Sequence, residues 1–230
     1  MNKIYIFDID GTLTPSRQKM TEEFAKFFDE WSSKNKYYLV TGSDLDKTKE
    51  QLPIAYVDRT EAIFPCCGNE MWKGDKQVYR KEFKPPQNLL TYLGEQLRFS
   101  DYPIRAGNHI EDRGTLLNFS IVGRDCSLQQ RKDYYEYDKL TNERKTIAKY
   151  IRDTWKDIDA VIGGQISIDI YPKGMDKSQV FDIIEQERLV KPDEYIFIGD
   201  RTEKGGNDYP LALLMDNTDN CDFYQTDGWE

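Results

Sequence analysis

The residues with the clearest chemical meaning lie in one short segment near the beginning of the chain. Asp8 and Asp10 flank a single apolar residue and are followed by Gly11 and Thr12, directly after an apolar run. Two carboxylates at this spacing can share a phosphoryl transfer, because one can attack phosphorus while the other handles a proton. A strand followed by an Asx turn explains an Asp and a Gly, but it does not require the whole string. The segment therefore predicts a catalytic site for phosphate chemistry.

Three short apolar runs end abruptly in polar residues. They are residues 4–7 before Asp8, residues 37–40 before Thr41, and residues 195–198 before Gly199 and Asp200. Such runs are typical of buried parallel strands, and the aromatic residues Phe24, Phe27, Phe28 and Trp31 between the first two have the spacing of a crossover helix. The pattern predicts a doubly wound α/β sheet, in which ligands bind beyond the carboxyl ends of the strands. We therefore expect Asp8, Thr41 and Asp200 to converge on one pocket.

The middle of the chain has a different pattern. Pro85 and Pro86 mark a break, after which helices are predicted at residues 89–97, at the highly charged residues 131–155 and at residues 178–188, and strands at residues 115–121 and 165–171. The two strand segments alternate apolar and polar residues, as half-buried antiparallel strands do. The chain is therefore expected to form a discontinuous catalytic core, residues 1–81 and 175–230, with a substrate-binding α/β cap inserted at residues 82–174.

The charge and cysteine content exclude several classes of partner. The chain has 32 Lys and Arg residues against 41 Asp and Glu residues, and this excess of negative charge repels nucleic acids and anionic membranes. The four cysteines form no CxxC pair and no zinc-ligand spacing, and no apolar run approaches the about 18 residues of a membrane span. We expect a cytoplasmic protein with a small-molecule substrate, no nucleic-acid partner and no membrane partner. An anionic substrate would then need a metal ion and a few arginines.

The string from Asp8 to Thr12, together with residues 41–43, Lys177 and residues 199–200, resembles the haloacid dehalogenase superfamily of phosphotransferases. The resemblance implies a Rossmann-like parallel-sheet core in which Asp8 is the nucleophile and Asp10 the general acid and base. It also implies phosphate binding by Thr41, Ser43 and Lys177, and Mg²⁺ binding by the carboxylates of Asp8 and Asp200 and the carbonyl of Asp10. A cation is needed because a carboxylate that attacks a phosphate dianion is otherwise repelled. Taken alone, Thr41 and Ser43 are as typical of a turn, and Lys177 of a solvated charge.

Longer segments narrow the resemblance. Residues 10–17, 117–120, 123–127, 163–169, 199–202 and 205–208, with Arg113, are similar to the eukaryotic-type phosphomannomutases in the same order over nearly the whole chain. The resemblance implies that a sugar phosphate is bound between core and cap by Arg17, Arg113, Arg124 and Arg131, with Ser167 and Asp169. Arginine suits a mutase, which must bind a phosphate at either end of its substrate, because its guanidinium group is planar, multidentate and always charged.

The family implies interconversion of mannose 6-phosphate and mannose 1-phosphate through an aspartyl phosphate, with Mg²⁺ and a hexose 1,6-bisphosphate as activator. It also implies a homodimer formed through the cap and a place in GDP-mannose biosynthesis. An Mg²⁺-dependent sugar-phosphate phosphatase of the same superfamily is the alternative, since the core motifs are shared. A catalytically silent sugar-phosphate binding protein is a third possibility, but such a protein needs no nucleophile beside a metal.

Two segments depart from the family pattern. Cys66 and Cys67 stand before Gly68 where the family usually has Glu-Asn, and packing is the interpretation favoured over a redox or soft-metal site. Residues 216–218 are only loosely similar to the family's loop for a second, structural cation, so no second metal is assigned.

Overall fold

The computed structural model describes residues 2–16, 18–189 and 191–228. The chain divides into two compact units. Unit 1 comprises Met1–Lys81 and Met175–Glu230, and unit 2 comprises Glu82–Gly174. No helix among the described residues is long and apolar enough to cross a membrane.

The described residues form eleven strands, eight α-helices and a short 3-10 helix, Cys66–Gly68. The strands are β1 Lys3–Phe7, β2 Lys36–Val40, β3 Ile63–Phe64, β4 Glu70–Lys73, β5 Lys76–Arg80, β6 Ile110–Asp112, β7 Leu117–Phe119, β8 Ile158–Gly163, β9 Ser167–Pro172, β10 Glu194–Gly199 and β11 Cys221–Gln225. The helices are α1 Glu22–Ser32, α2 Leu45–Gln51, α3 Ile54–Arg59, α4 Gln87–Phe99, α5 Leu128–Thr141, α6 Glu143–Thr154, α7 Gln179–Gln186 and α8 Tyr209–Asp216.

Unit 1 contains a seven-stranded sheet in the order β11-β10-β1-β2-β3-β4-β5. The first five of these strands are parallel, which confirms the three buried parallel strands predicted from the apolar runs. The sheet ends in an antiparallel hairpin, β4 and β5, which the sequence analysis did not predict. Gly74, at φ +55°, and Asp75 form the turn of this hairpin, since glycine takes positive φ without steric cost. The carboxyl ends of β1, β2 and β10 therefore lie side by side.

The helix α1 covers β1 and β2 through aromatic side chains. It begins at Thr21, whose hydroxyl accepts the backbone N–H of Phe24, as an N-cap residue does. The ring of Phe28 meets those of Phe7 and Tyr37 edge-on at 5.8 and 5.5 Å, respectively. Phe27, which was expected to pack with them, is 63% exposed instead because it faces away from the sheet. The predicted crossover helix is thus present, but its buried apolar face is narrower than the sequence pattern predicted.

Unit 2 contains a four-stranded antiparallel sheet in the order β6-β7-β9-β8. Its core joins sheet residues such as Leu117 and Phe119 with helical residues such as Leu93, Tyr134 and Ile151. Successive side chains of a strand point to opposite faces, so the residue between Leu117 and Phe119 points away from this core. One face of the sheet is therefore apolar and the other carries polar side chains.

The predicted single helix over residues 131–155 is wrong. The structure has two helices there, α5 and α6, because Asn142 adopts a left-handed conformation at φ +54° and ends the first. Asparagine tolerates this conformation better than most side chains do, and the charged sequence around it shows no other break. The helix α5 also begins earlier than predicted, since Ser127 and Gln130 form a capping box.

Candidate active site

Asp8 is the first residue after β1, and it is almost fully buried. Its backbone N–H donates to the carbonyl of Ile198 at 2.9 Å and so continues the pairing of β1 with β10. Its carboxylate accepts a hydrogen bond from the hydroxyl of Thr12 at 3.2 Å. The intervening chain folds tightly, with the N–H groups of residues 12–14 donating to the carbonyl of Ile9. The nucleophile predicted from the sequence is thus fixed by the sheet on one side and by a turn on the other.

Lys177 binds two carboxylates at the same time. Its Nζ lies 2.6 Å from Asp8 Oδ1 and 2.6 Å from Asp208 Oδ1, and all three side chains are buried. Burial opposes the charge of the ammonium group, but Asp208 and Asp8 outweigh it and keep the pKa of Lys177 well above its usual value. The other oxygen of Asp208 accepts the backbone N–H of Arg201 at 3.0 Å. Lys177 is therefore an internal counter-ion and not a solvated surface charge.

Asp8, Asp200 and Asp208 form an acidic cluster in which one ligand atom of each lies within 4.8 Å of the others. Burial, together with the charges of Asp208 and Asp200, raises the pKa of Asp8 well above its usual range, although Lys177 opposes the shift. Burial and the charge of Asp208 raise the pKa of Asp200 to about 7. Lys177 pairs with Asp8 and Asp208, and Nε of Arg201 lies 3.5 Å from Asp200 Oδ2, so two cations face three carboxylates and one negative charge remains uncompensated. This donor set fits a hard divalent cation, which prefers oxygen ligands.

Two glycines allow the carboxylates to approach the backbone this closely. Gly11 has φ +93°, and a Cβ atom there would lie 2.5 Å from Asp200 Oδ2. A Cβ atom at Gly199 would lie 2.7 Å from Asp208 Oδ2. The Gly residues of both motifs are therefore needed for space around the acidic cluster, in addition to any role in a turn.

Both carboxylate oxygens of Asp10 are hydrogen-bonded. Oδ2 accepts the hydroxyl of Ser43 at 2.9 Å, and Oδ1 accepts Nε2 of Gln51 at 2.9 Å. Gln51 is the last residue of α2, and its Nε2 also lies 3.1 Å from the hydroxyl of Thr14. Thr41 is buried directly after β2, and its hydroxyl accepts the N–H of Ser43 at 3.0 Å. The structure thus brings Thr41, Ser43 and Asp10 together, with the Ser43 hydroxyl directed at Asp10.

Cys66 and Cys67 support the same loop through their backbone. The N–H of Cys66 donates to the carbonyl of Ser43 at 2.9 Å, and that of Cys67 donates to the carbonyl of Thr41 at 2.8 Å. Both cysteines are fully buried and have positive φ, at 51° and 59°. The residues that depart from the family pattern therefore brace the Thr41–Ser43 segment by main-chain contacts, which do not depend on the side chain.

Two residues of this site were missed by the sequence analysis. Asp208 lies in the segment 205–208 that carried the family resemblance, so a signal existed, but no metal or lysine partner was assigned to it. Nothing in the sequence indicated a role for Gln51, because a glutamine in a charged helical segment is usually solvated. Only the packing of α2 beside the loop after β1 shows that its amide reaches Asp10.

In unit 2, two of the predicted arginines share one carboxylate. Glu111 Oε2 accepts Nη2 of Arg113 at 2.8 Å and lies 3.0 Å from Nη2 of Arg124. Arg131 is buried near the beginning of α5. Arg17 lies outside the described residues, so its predicted role stays a prediction.

The polar face of the unit 2 sheet carries a row of side chains. Glu111 pairs directly with Asn118 on the next strand, and Asn118 pairs with Asp169 on the strand after it. Nδ2 of Asn118 donates to Oδ1 of Asp169 at 2.6 Å. Ser167, two residues before Asp169 and therefore on the same face, donates its hydroxyl to the carbonyl of Gly163 at 3.1 Å. The predicted sugar-binding residues Ser167 and Asp169 thus lie on the same face as Glu111, the residue that binds Arg113 and Arg124.

Comparisons with known proteins find similar phosphomannomutases. A family model described as "Eukaryotic phosphomannomutase" matches residues 24–218. A phosphomannomutase of Encephalitozoon cuniculi is 36% identical over 222 residues, covering 90% of this chain and 83% of that protein. A phosphomannomutase of Drosophila melanogaster is 36% identical over 224 residues, covering 90% of this chain and 85% of that protein.

Solved structures agree in fold. The IMP-nucleotidase of Plasmodium falciparum has a TM-score of 0.64 at 17% identity and covers 99% of this chain and 65% of that chain. A phosphatase of the haloalkanoate superfamily from Bacteroides thetaiotaomicron has a TM-score of 0.58 at 16% identity and covers 97% of this chain and 89% of that chain. The predicted fold class, a haloacid dehalogenase-like core with an inserted α/β cap, is confirmed.

The raised pKa of Asp200 predicts how binding of a divalent cation depends on pH. A cation binds the ionised carboxylate, so the affinity of the metal-free protein for Mg²⁺ should fall as pH decreases below about 7, where Asp200 takes up a proton. The expected slope is up to about tenfold per pH unit. Calorimetry in two buffers of different ionisation enthalpy measures the protons released per ion. An affinity that is constant from about pH 6 to 8 with no proton release would contradict this prediction, and the matched variant Asp200→Asn, which lacks this carboxyl group, should release fewer protons per ion than the wild type.

Proposed function

The chain belongs to the eukaryotic phosphomannomutase family, and we propose that it interconverts mannose 6-phosphate and mannose 1-phosphate through an aspartyl phosphate on Asp8. The family match over most of the chain favours the mutase over the phosphatase alternative. The observation that carries the proposed chemistry is the buried Asp8 beside Lys177 and the acidic cluster. A hexose 1,6-bisphosphate would be both the intermediate and the activator that first phosphorylates Asp8. In this proposal unit 1 is the catalytic core and unit 2 is the cap that binds substrate.

The phosphoryl transfer is assigned to the residues of unit 1. The carboxylate of Asp8 attacks phosphorus, the bond from phosphorus to the sugar or bisphosphate oxygen breaks, and Lys177 and Thr12 hold the nucleophile in position. We assign a Mg²⁺ site to the carboxylates of Asp8, Asp200 and Asp208 with the carbonyl of Asp10, and the bound ion would offset the repulsion between carboxylate and phosphate. Positioning and charge neutralisation are the main sources of rate in such a transfer.

Asp10 moves the proton in each half-reaction. It gives a proton to the oxygen that leaves phosphorus, and it takes one from the sugar hydroxyl that later attacks the aspartyl phosphate. The amide N–H of Gln51 can only donate, whereas the hydroxyl of Ser43 can donate or accept. The hydrogen bond to Ser43 can therefore persist in both the acid and the base form of Asp10. Gln51 orients the side chain in both protonation states.

Unit 2 is proposed to bind the phosphate that is not reacting. Arg113, Arg124 and Arg131 supply charge-assisted hydrogen bonds, with Arg17 as a fourth partner implied by the family. Ser167 and Asp169 lie on the polar face of the same sheet, where they would contact sugar hydroxyls. A bisphosphate can then be bound by either end, as a mutase requires.

The cellular setting is also a proposal. All four cysteines are free thiols, which suits the reducing cytoplasm, where a mutase of this kind would supply GDP-mannose biosynthesis. We propose a homodimer formed through unit 2, whose surface exposes the large apolar side chains Phe99, Leu128 and Leu140.

Phosphorus NMR tests the proposed function directly. With Mg²⁺ and a hexose 1,6-bisphosphate, the protein should convert mannose 1-phosphate to mannose 6-phosphate without accumulating inorganic phosphate. The variant Asp8→Asn, verified as folded by circular dichroism, should lose at least about a thousandfold in turnover, because the amide cannot form the phosphoenzyme. Steady accumulation of inorganic phosphate by the wild type would support the phosphatase instead. Near-normal turnover by Asp8→Asn would contradict the nucleophile assignment.

The arginines of unit 2 should separate sugar-phosphate binding from phosphoryl transfer. Replacing Arg124 and Arg131 by Ala should lower affinity for mannose 1-phosphate by about ten- to hundredfold per residue, since a hydrogen bond to a charged group contributes about 1.5–3 kcal/mol. Phosphorylation of the protein by a small donor, acetyl phosphate, should continue. Lys145→Ala, at an exposed position on α6 of the same unit, is the matched control and should change neither activity.

Equal losses with the sugar phosphate and with acetyl phosphate would contradict this assignment and would indicate that Arg124 and Arg131 support the fold. Unchanged turnover of mannose 1-phosphate would place both arginines outside the binding site.

A further inference from the structure

Arg113 and Arg124, both proposed to bind phosphate, already share an anionic partner within unit 2. Both Nη2 atoms approach the same oxygen, Oε2 of Glu111, at 2.8 and 3.0 Å. The arginine side chains are 6% and 10% exposed, whereas that of Glu111 is 32% exposed. The carboxylate is therefore open to solvent on one side, while the guanidinium groups are largely enclosed.

The position of Glu111 is fixed by the sheet. It is the central residue of β6 and pairs directly with Asn118 on β7. Asn118 in turn hydrogen-bonds Asp169, so Glu111 ends a polar row that crosses three strands. Arg124 follows Gly123, whose φ is +92° and where a Cβ atom would lie 2.0 Å from the carbonyl oxygen of Ala106. Both the acceptor and the loop of Arg124 are thus held by close backbone packing.

Charge explains what this arrangement does. Two guanidinium groups that meet at one oxygen repel each other, and the carboxylate between them offsets that repulsion. The three side chains together carry a single positive charge. A phosphate dianion that approaches the arginines is attracted by them but repelled by Glu111, and it must share their N–H groups with the carboxylate.

We propose that Glu111 is a positioning residue that keeps Arg113 and Arg124 side by side and limits their affinity for phosphate. The inference rests on the proposed mutase function and deepens it. A mutase must release and turn over its bisphosphate within each cycle, and arginines without a competing carboxylate would bind that intermediate too tightly. By lowering the affinity of the two arginines for phosphate, Glu111 makes release of the bisphosphate faster.

Two substitutions separate the charge of Glu111 from its role as an acceptor. Glu111→Gln keeps the side-chain length and one acceptor oxygen but removes the repulsion. It should bind mannose 1-phosphate and inorganic phosphate about three- to tenfold more tightly, with kcat lowered by a similar factor because release is slower. Glu111→Ala removes the acceptor as well, so the arginines lose their alignment and binding should weaken about tenfold. Glu136→Gln is the matched control, since Glu136 forms an exposed ion pair with Lys139 on α5.

Calorimetry gives the dissociation constants, and phosphorus NMR gives kcat and the amount of free bisphosphate. Tighter binding with slower turnover in Glu111→Gln, and weaker binding in Glu111→Ala, would support the inference. The inference would be overturned if Glu111→Gln bound phosphate with the affinity of the wild type, or if it lost affinity as Glu111→Ala is expected to do. Tighter binding by Glu111→Gln with an unchanged kcat would also overturn it. The affinity for inorganic phosphate is measured by calorimetry without any turnover, so this part of the test does not depend on mutase activity. Absence of isomerisation by the wild type would therefore refute the proposed function separately.

Discussion

The ammonium group of Lys177 is the charge on which the geometry of the candidate active site depends. Asp8 and Asp208 are buried and Asp200 is partly buried, and these three carboxylates at the ends of β1 and β10 and in the following loop would repel one another strongly. Removing a charge from water is costly unless it is paired. Lys177 links Asp8 to Asp208 from the segment that leads into α7, so it ties the beginning of the chain to its last third. The nucleophile is oriented by the same contact that lets it remain buried.

Unit 2 contains an ion-pair arrangement like that of Lys177, but with the charges reversed. In unit 1 one cation holds two carboxylates, whereas Glu111 is one anion that holds two arginines. The chain carries a formal charge of −9, so its overall field repels a sugar phosphate. The attraction for a sugar phosphate therefore has to come from charged groups within the site. In the proposed mutase, the acidic cluster keeps enough negative charge to bind a cation. The two arginines beside Glu111 keep enough positive charge to bind a phosphate.

The sequence predicted those parts of the site that local patterns determine. Apolar runs that end in Asp8, Thr41 and Asp200 specified parallel strands and the edge at which their polar residues meet. Contacts that depend on loops were not predictable: Asp208 follows β10 by nine residues, and Gln51 reaches Asp10 only because α2 packs beside it. Nor did helical periodicity show the break at Asn142, because its left-handed conformation is a property of one residue. The sequence also did not indicate the contacts of Glu111 with Arg113 and Arg124, which only the folded structure shows.

A double-mutant cycle on Lys177 and Asp208 tests the central claim most directly. The free energy of unfolding of the metal-free protein would be measured by urea denaturation for Lys177→Met, Asp208→Asn and the double variant. Because Lys177→Met leaves buried carboxylates unpaired, it should cost about 3–5 kcal/mol, and adding Asp208→Asn should restore at least about 1 kcal/mol of the summed losses. Losses that add to within about 0.5 kcal/mol would show that the two groups are energetically independent, which would contradict the role given to Lys177 here.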